Sequence, residues 1–376
     1  MTLLWCKNCL LPNSRPNLII EENGNCSACN NFKKKKKINW KKRKQEFIKL
    51  VKKIKNKNLR YDCVIPVSGG KDSTWQTIKC LEYGLNPLTV TWKTPQRTKI
   101  GQDNLDNLIS LGVDHIDWSI NPKIEKKLTL ESFKKFGAVA IPMHLAIFNI
   151  PDLIASHFKI PFVIWGENSA LEYGSLSKKE NQKILTKKWF KSYGVTNNTE
   201  ANDWVSKTLP KNKLSSYFNY KTYSQDKFKT ESIFLGYFFK WDPQNTFKIS
   251  KKFGFKADSK TRTGYYKFAD IDDYFISIHH WLKWYKFGFT RVFDNLSLEI
   301  RNKRISKPEA LKIIKSEGFK PPLEDIKKFC NYCDISKKQF FDFAEKFRNR
   351  KIWKKNKDNI FYIENFLING WNWHEN

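Results

Sequence analysis

The stretch that decides the fold is YDCVIPV, residues 61–67, followed at once by SGGKDST, residues 68–74. The first seven residues are a short, mostly apolar run, which is typical of a buried β-strand. The next stretch, WQTIKCLEYGL at residues 75–85, has the apolar spacing of a helix. The sequence therefore predicts a strand, a tight glycine turn and a helix in immediate succession.

The turn between this strand and helix has the composition of an anion-binding loop. Gly69 and Gly70 let the backbone turn sharply and approach a ligand closely. The free N–H groups at the start of the helix then point at the anion. The hydroxyls of Ser68 and Ser73 add two further donors. The loop is therefore expected to bind phosphate groups.

The two charged residues of the loop indicate a nucleotide bound together with magnesium. Lys71 supplies a cation for the phosphates, whereas Asp72 would repel a bare phosphate. A carboxylate at this point makes sense if Mg²⁺ lies between it and the nucleotide. The motif matches neither GxxxxGK[ST] nor GxGxxG, so phosphoryl transfer by a P-loop and dinucleotide binding are not indicated.

Strands and helical patterns alternate after the loop. Further strands are predicted at residues 85–92, 115–120 and 161–166, with a last strand at Ser232–Phe239. Helical patterns lie between them, at residues 104–112, 123–136 and 143–158. Such alternation predicts βαβ units, and therefore an α/β fold with a parallel sheet.

Composition divides the chain into four regions. A cysteine-rich segment, residues 1–32, precedes a basic helix at residues 33–60. The sheet domain is expected at residues 61–242, with an insertion at about residues 170–230. Residues 243–376 read as mostly helical and very aromatic, which suits a region that binds a substrate or a partner.

Two CxxC pairs near the N-terminus predict a zinc ribbon. Cys6 and Cys9 are separated from Cys26 and Cys29 by sixteen residues. This spacing lets two tight turns aim four thiolates at one Zn²⁺. The alternative is a set of reduced thiols or a disulfide. A segment this small is expected to be held by the metal, because it has too little apolar core of its own.

The chain is strongly basic, with 69 Lys and Arg against 37 Asp and Glu and a formal net charge of +32. Only ten of the basic residues are Arg, and the abundance of Lys, Asn and Ile resembles a codon bias toward A and T. Residues 33–60 hold fifteen Lys or Arg and one Glu, in a helical pattern from about Trp40. This helix is either a solvated linker or a surface for a polyanion.

Nothing in the sequence predicts a membrane span or an exported protein. The longest apolar stretch, Gly137–Pro151, is interrupted by Pro142 and is too short for a bilayer. The first residues, MTLLWCKNCL, lack the pattern of a secretion signal. Cysteines arranged in CxxC pairs point to metal binding in a reducing compartment. We therefore expect a cytoplasmic protein.

The loop at residues 68–73 resembles the pyrophosphate-loop motif of ATP pyrophosphatases, such as argininosuccinate and GMP synthetases and tRNA-thiolating enzymes. Those enzymes split ATP between its α and β phosphates, transfer AMP to an oxygen and release pyrophosphate. The order of motifs along the chain is similar to that of the N-acetyl sugar amidotransferase family. These motifs are CxxC–CxxC, the basic helix, SGGKDS, TPQRTKIGQDNLDNL, FVIWGENSALEYGS, TRTGYY, HHWLKWYKFGFTR and LEIRNKRIS.

The resemblance runs from Cys6 to about Trp353 and implies both a fold and an activity. The fold would be of the adenine nucleotide alpha hydrolase-like type, with an N-terminal zinc ribbon and a mostly helical C-terminal region. The activity would be an ATP- and Mg²⁺-dependent conversion of a sugar N-acetyl group into an acetamidino group, releasing AMP and pyrophosphate. The acceptor would be a nucleotide sugar or nonulosonic acid used in bacterial lipopolysaccharide or flagellar glycan.

The resemblance also assigns ATP-binding residues. Residues Ser68–Ser73 would bind ATP, and within them Lys71 and Asp72 would take part in catalysis, with Asp72 also holding Mg²⁺. Thr91, at the end of the second strand, would lie near adenine. Gly166, after a later core strand, would line the same edge of the sheet, where open α/β folds bind their ligands.

Three residues after that core strand are assigned to the reaction itself. Glu167 or Glu172 would orient Mg²⁺ or take a proton from the attacking amine, and Asn168 would contact the substrate. The alternative for either glutamate is a structural ion pair with a nearby lysine. Ser175 departs from the family pattern, in which a second Gly is expected after Gly174.

Three arginines stand out because arginine is scarce in this chain. Arg262, Arg291 and Arg301 are suited to bidentate contacts with phosphate or carboxylate. They would hold the diphosphate of a nucleotide sugar or the carboxylate of an acidic sugar. The alternative is that they form ion pairs with Glu299 or Asp294.

The amidation needs a source of ammonia. Thr2 follows Met1, so the N-terminal cysteine of one glutaminase type is missing, and no GxCxG elbow of the other type is found. The resemblance implies separate glutaminase and cyclase-like subunits that deliver ammonia. We therefore expect the chain alone to use free ammonium poorly and glutamine not at all.

Two other functions compete with this interpretation. A tRNA-modifying enzyme, for thiolation or lysidine formation, would share the SGGKDS loop and the zinc ribbon, and residues 33–60 would grip the RNA. Against it, Cys63 and Cys80 are the only cysteines in the catalytic half and are expected to be buried. Nucleic acid is therefore not favoured as a partner. A non-catalytic nucleotide sensor is disfavoured by the intact loop residues Lys71 and Asp72.

Overall fold

The computed structural model describes residues 2–176, 182–219 and 228–374. Its central feature is a five-stranded sheet in which the strands have the order β3-β2-β1-β4-β5 and all neighbouring pairs are parallel. The strands are β1 (Cys63–Pro66), β2 (Pro87–Trp92), β3 (Asp114–Trp118), β4 (Phe162–Trp165) and β5 (Glu231–Phe234). The predicted α/β class with a parallel sheet is confirmed.

Helices precede the sheet and connect its strands, as expected for right-handed βαβ crossovers. They are α1 (Ser27–Lys35), α2 (Trp40–Lys55), α3 (Lys71–Glu82), α4 (Lys99–Ile109), α5 (Pro122–Phe136), α6 (Ile141–His157), α7 (Ser169–Tyr173) and α8 (Lys187–Tyr193). Two short 3₁₀ helices follow, at Ala201–Trp204 and Lys211–Tyr217.

The two faces of the sheet have separate hydrophobic cores, because successive strand residues point in opposite directions. On one face, Val64 and Val163 pack against Leu145 and Ile154 of α6. These residues are almost fully buried, so α6 acts as the cover of this face.

The opposite face of the sheet is covered by helices α2, α3 and α4. Cys63 and Ile65 of β1 pack there with Phe47 of α2, Trp75 of α3 and Leu105 of α4. The apolar side of the basic helix α2 is therefore part of the sheet domain's core. Its lysines occupy the other side, as the amphipathic pattern predicts.

The C-terminal part of the chain is mostly helical, as expected. Its elements are α9 (Leu235–Phe238), α10 (Pro243–Lys252), α11 (Phe275–Phe287), α12 (Arg291–Arg301), α13 (Lys307–Glu317), α14 (Leu323–Cys333), α15 (Lys337–Glu345), β6 (Trp353–Lys355) and β7 (Phe361–Ile363). Its aromatic core contains Trp284, Phe329 and Phe340, and the buried thiols of Cys330 and Cys333 also lie in it. The last two strands pair in antiparallel fashion.

The structure differs from the sequence prediction in two elements. The last strand of the sheet ends at Phe234, and Leu235–Phe238 form a helical turn, because the N–H of Gly236 donates to the carbonyl of Gly166 instead of continuing a ladder. Helix α1 begins inside the second CxxC pair and was not predicted. The predicted insertion at about residues 170–230 lies partly outside the described residues.

No helix among the described residues is both long and apolar enough to cross a bilayer. The predicted domain limits stay predictions. Helix α10, which was assigned to the C-terminal region, packs against α3 of the sheet domain, and Ser250 Oγ donates to the carbonyl of Lys71 at 2.6 Å.

Gly69 shows why the loop after β1 needs glycine. Its φ is +82°, and a Cβ atom there would lie only 2.7 Å from the backbone nitrogen of Leu105 in α4. Gly84 has a similar φ of +74°, but a Cβ atom there would meet nothing within 4 Å. Substitution of Gly84 would therefore introduce backbone strain alone, whereas substitution of Gly69 would add a steric clash to the same strain.

We expect Gly84→Ala to lower the free energy of unfolding by about 1 kcal/mol, the cost of a left-handed φ. Gly69→Ala is expected to cost about 3 kcal/mol, because overpacking against α4 adds to the same strain. Urea denaturation of both variants measures the difference. Equal losses of unfolding free energy in the two variants would mean that α4 can move away from residue 69 at little cost, and that the loop is not tightly packed against it.

Candidate functional site

The loop after β1 lies at the point where the sheet reverses its strand order. The chain moves from β1 outward to β2 and β3, and then returns to place β4 on the other side of β1. Open α/β sheets bind ligands at this switch point, outside the carboxyl ends of the strands. Residues Ser68–Ser73 follow β1 and Gly166–Asn168 follow β4, so the structure brings these two predicted segments to the same crevice.

The loop is held in shape by its own hydroxyl groups. The Gly70 N–H donates to Ser68 Oγ at 3.3 Å, and Ser73 Oγ donates to the carbonyl of Gly70 at 2.9 Å. Helix α3 begins at Lys71, with Gly70 as its N-cap. The N-terminal end of a twelve-residue helix thus points at the crevice, where its free N–H groups and its dipole favour an anion.

Asp72 is tied to three donors. Its Oδ1 accepts hydrogen bonds of 3.0 Å from Trp241 Nε1 and from Thr246 Oγ1, and its Oδ2 forms an ion pair with Lys71. The ammonium group of Lys71 also lies 5.6 Å from the ring centre of Phe268. Sequence reasoning missed Trp241 and Thr246, because their distance along the chain gives no sign of this contact.

Glu167 is the second carboxylate of the crevice. Burial, followed by the negative charge of Asp72, raises the pKa of Glu167 from 4.5 to about 7, while the charge of Lys71 acts in the opposite direction. A carboxyl group with a pKa near neutrality can both give and take a proton under ordinary conditions. Glu167 therefore has the ionisation expected of a general base.

Glu172 has different surroundings. Its carboxylate forms a buried ion pair with Lys35 at the end of α1, and Lys35 also donates to the carbonyl of Trp241 at 2.8 Å. Both side chains are at most 5% exposed. These contacts favour the alternative considered above, a structural ion pair, over the predicted catalytic role.

The remaining predicted residues of this edge have their side chains engaged within the protein. Thr91 is buried, and its hydroxyl donates to the carbonyl of Val67 at 2.6 Å, so it joins β2 to the end of β1. Asn168 caps α7, because its Oδ1 accepts from the N–H of Ala170 at 3.1 Å and from Trp189 Nε1 at 3.0 Å. Roles for Thr91 and Asn168 at adenine and substrate stay predictions.

Arg262 and Arg291 pair with different carboxylates. Arg262 forms an ion pair of 2.8 Å with Asp325 at the start of α14. Arg291 binds both oxygens of Asp270, at 2.9 and 3.3 Å, and its guanidinium carbon lies 5.8 Å from the ring centre of Tyr173. Only Arg291 therefore borders the crevice, through Tyr173 at the end of α7.

Four cysteines form the N-terminal centre. The sulfur atoms of Cys6 and Cys29 are 3.8 Å apart, those of Cys9 and Cys26 are 3.6 Å apart, and all four lie within 4.8 Å of one another. A tetrahedron with Zn–S bonds of about 2.3 Å needs sulfur atoms about 3.8 Å apart. The four thiols are buried and fit one Zn²⁺.

Arg301 lies against this cysteine centre and not at an open cleft. Its side chain is buried, with Nη1 4.0 Å from Cys9 Sγ and Nη2 donating to the carbonyl of Glu172 at 2.9 Å. Among the described residues it forms no ion pair with a carboxylate. Since four thiolates on one Zn²⁺ carry a net charge of −2, Arg301 supplies a buried counter-charge. Its surroundings do not suit the predicted substrate contact.

Two comparisons with known proteins found similarities, and one of them is located in the C-terminal part of the chain. Residues 231–366 match the family model described as "LPS biosynthesis protein WbpG-like, C-terminal domain". The match is to a domain of lipopolysaccharide biosynthesis, one of the pathways in which the predicted family acts. The solved structure of NMN synthetase from Francisella tularensis is similar over 46% of this chain and 78% of that chain, with 19% sequence identity and a TM-score of 0.28. A comparison with curated proteins gave no match.

We expect Arg301→Met to weaken zinc binding by about tenfold to a hundredfold, the usual effect of removing a group that supports metal ligands. Competition with a chromophoric chelator measures the zinc affinity. The matched control is Arg304→Met, three residues further along, because Arg304 pairs with Glu299 and Asp242 and contacts no thiol. Unchanged zinc affinity in Arg301→Met would show that its charge serves something other than the cysteine centre.

Proposed function

We propose that this protein is an ATP-dependent amidotransferase that acts on an N-acetyl group of a bacterial nucleotide sugar or nonulosonic acid. The observation that carries the proposal is the SGGKDS loop, which lies at the switch point of the parallel sheet beside a carboxyl group of raised pKa. The match of residues 231–366 to a lipopolysaccharide biosynthesis domain supports a sugar as the acceptor. The product would be an acetamidino sugar for lipopolysaccharide or flagellar glycan.

The loop would bind the pyrophosphate part of ATP. The N–H groups at the start of α3 and the hydroxyls of Ser68 and Ser73 are donors suited to phosphate oxygens. Lys71 would turn from Asp72 toward the leaving pyrophosphate and offset the charge that develops on it. Asp72 would hold Mg²⁺, which when bound offsets phosphate charge, and this leaves Glu167 free of the metal as a base.

The reaction consists of two displacements. The amide oxygen attacks the α-phosphorus of ATP, and pyrophosphate leaves. Ammonia then attacks the activated amide carbon, a proton passes to Glu167, and AMP departs with the former amide oxygen. The amide oxygen alone is a poor leaving group, whereas AMP is a good one, and this is why the nucleotide is consumed. Separate glutaminase and cyclase-like subunits would supply the ammonia.

The products of turnover test this proposal. The purified chain is incubated with ATP, Mg²⁺, ammonium and candidate N-acetyl sugars, and both nucleotide and sugar are analysed by mass spectrometry. We expect AMP, pyrophosphate and a sugar in which NH has replaced one oxygen, with the added positive charge of an amidine. Glutamine in place of ammonium is expected to give no product. Formation of ADP would refute the proposal. A parallel incubation with tRNA and either lysine or a sulfur donor would do so too if it gave a modified tRNA.

Substitution of Glu167 should lower activity, whereas substitution of Glu172 should lower stability. Glu167→Gln keeps the size of the side chain but removes the base, so we expect kcat to fall about a hundredfold or more with little change in melting temperature. Glu172→Gln leaves Lys35 buried without its partner, so we expect a loss of about 3 kcal/mol in stability and near-normal kcat for the folded enzyme. The opposite pattern, an inactive but stable Glu172→Gln, would move the base from Glu167 to Glu172.

A further inference from the structure

A cluster of cations from the N-terminal segment and from helices α11 and α12 borders the crevice. Arg15 and Lys283 both bind the fully buried Asp294, at 3.0 and 2.9 Å. Arg291, from the same helix as Asp294, is paired with Asp270. We call Arg15, Lys283, Lys286 and Arg291 the basic cluster. The side chains of Arg15, Lys283 and Arg291 each stay 15–18% exposed, so they can still reach a ligand.

The basic cluster adjoins the proposed reaction centre. The ring of Tyr173 is close to two of its members, with the guanidinium carbons of Arg15 and Arg291 at 5.5 and 5.8 Å from the ring centre. Tyr173 is in turn within electrostatic range of Glu167 and Asp72. A substrate whose amide reaches Glu167 would therefore place its remaining groups toward the cluster.

The positive charges of the cluster exceed its negative ones. Asp270 neutralises Arg291, and Asp294 can neutralise only one of its two partners, Arg15 and Lys283. Lys286 has no carboxylate partner among the described residues, and its ammonium group donates to the carbonyl of Gly137 at 3.0 Å. The cluster thus has two positive charges more than its carboxylates balance.

The neighbouring histidines do not supply the missing negative charge. His144 lies on α6, and its ring centre is 5.9 Å from that of His279, while His279 is 5.3 Å from His280. Burial, followed for His279 and His280 by nearby positive charges, lowers the pKa of all three rings, so they are neutral at pH 7. Burial and then the charge of Lys283 lower the pKa of Lys286 to about 8. Excess positive charge in such a place is costly unless an anion joins it.

We propose that the basic cluster binds an anionic group of the acceptor substrate, either a sugar carboxylate or the diphosphate of a nucleotide sugar. The identity of the acceptor rests on the proposed function. Binding of an anion by the basic cluster does not require that the substrate is adenylated. Arg15 and Arg291 offer guanidinium forks and Lys283 and Lys286 offer ammonium groups, which are the donors that oxyanions prefer.

Direct binding tests the site without catalysis. Isothermal titration calorimetry is performed with N-acetylneuraminate, its uncharged methyl ester, and UDP-N-acetylglucosamine. We expect the carboxylate or the diphosphate to bind, and raised ionic strength to weaken the binding. Binding of N-acetylneuraminate identifies the carboxylate as the recognised group, and binding of UDP-N-acetylglucosamine alone identifies the diphosphate. No binding by either anion, or equal binding by the methyl ester, would overturn the proposal.

Lys286→Met is the sharpest variant, because removing a buried cation without a carboxylate partner should not destabilise the chain. We expect it to weaken binding of the anionic ligand at least about tenfold, the worth of one charged hydrogen bond. Lys338→Met is the matched control, since Lys338 is exposed and pairs only with Asp342. Lys283→Met serves as a second variant within the cluster.

The affinity for ATP distinguishes the cluster from the loop. We expect Lys286→Met to leave ATP binding unchanged, whereas weakened ATP binding would mean that the cluster serves the nucleotide and would overturn the proposal. An unchanged affinity for the anionic ligand in both Lys286→Met and Lys283→Met would also overturn the proposal. If the enzyme formed ADP, the proposed reaction would be wrong, but the results on anion binding would still stand. The two proposals can therefore be refuted independently.

Discussion

The carboxylate of Asp72 is the point on which the arrangement of the crevice depends. One of its oxygens accepts from Trp241 and Thr246, and the other pairs with Lys71. A carboxylate at the start of a helix suits the helix dipole, but it opposes the binding of phosphate at the same place. The structure resolves this conflict by surrounding Asp72 with donors from α10 and its approach. The C-terminal region thus shapes the phosphate loop directly, and the two cannot be treated as independent modules.

A second buried network joins the cysteine centre to the same crevice. Arg301 contacts both Cys9 and the backbone of Glu172, and the carboxylate of Glu172 pairs with Lys35 on the helix that starts in the second CxxC pair. Buried charges of this kind are stable only when every partner is in place. The cysteine centre is therefore connected to α7, the helix that follows Gly166–Asn168, through charge and hydrogen bonds.

The sheet and its loop could be predicted from local patterns. The apolar run before SGGKDS, and the alternation after it, depend on neighbouring residues only, and four of the five strands were placed correctly along their length. The end of the fifth was missed, because Leu235–Phe238 are apolar enough for a strand and only the bond from Gly236 to Gly166 turns them into a helix. The motif order also suggested a family that acts in lipopolysaccharide biosynthesis, and residues 231–366 match a domain described for that pathway.

Sequence by itself thus determined the fold class, the glycine turn after the first strand and the cluster of four cysteines, since each depends on residues that are close together in the chain or on a simple spacing. Only the tertiary structure decided which charged residues share an environment. It placed Arg301 against thiols, Glu172 against Lys35, and Arg15 beside Lys283 and Arg291. The reason is physical. A sequence pattern shows which side chains can carry a charge. The charges near each side chain, their distances and the loss of surrounding water are set only when remote segments pack together.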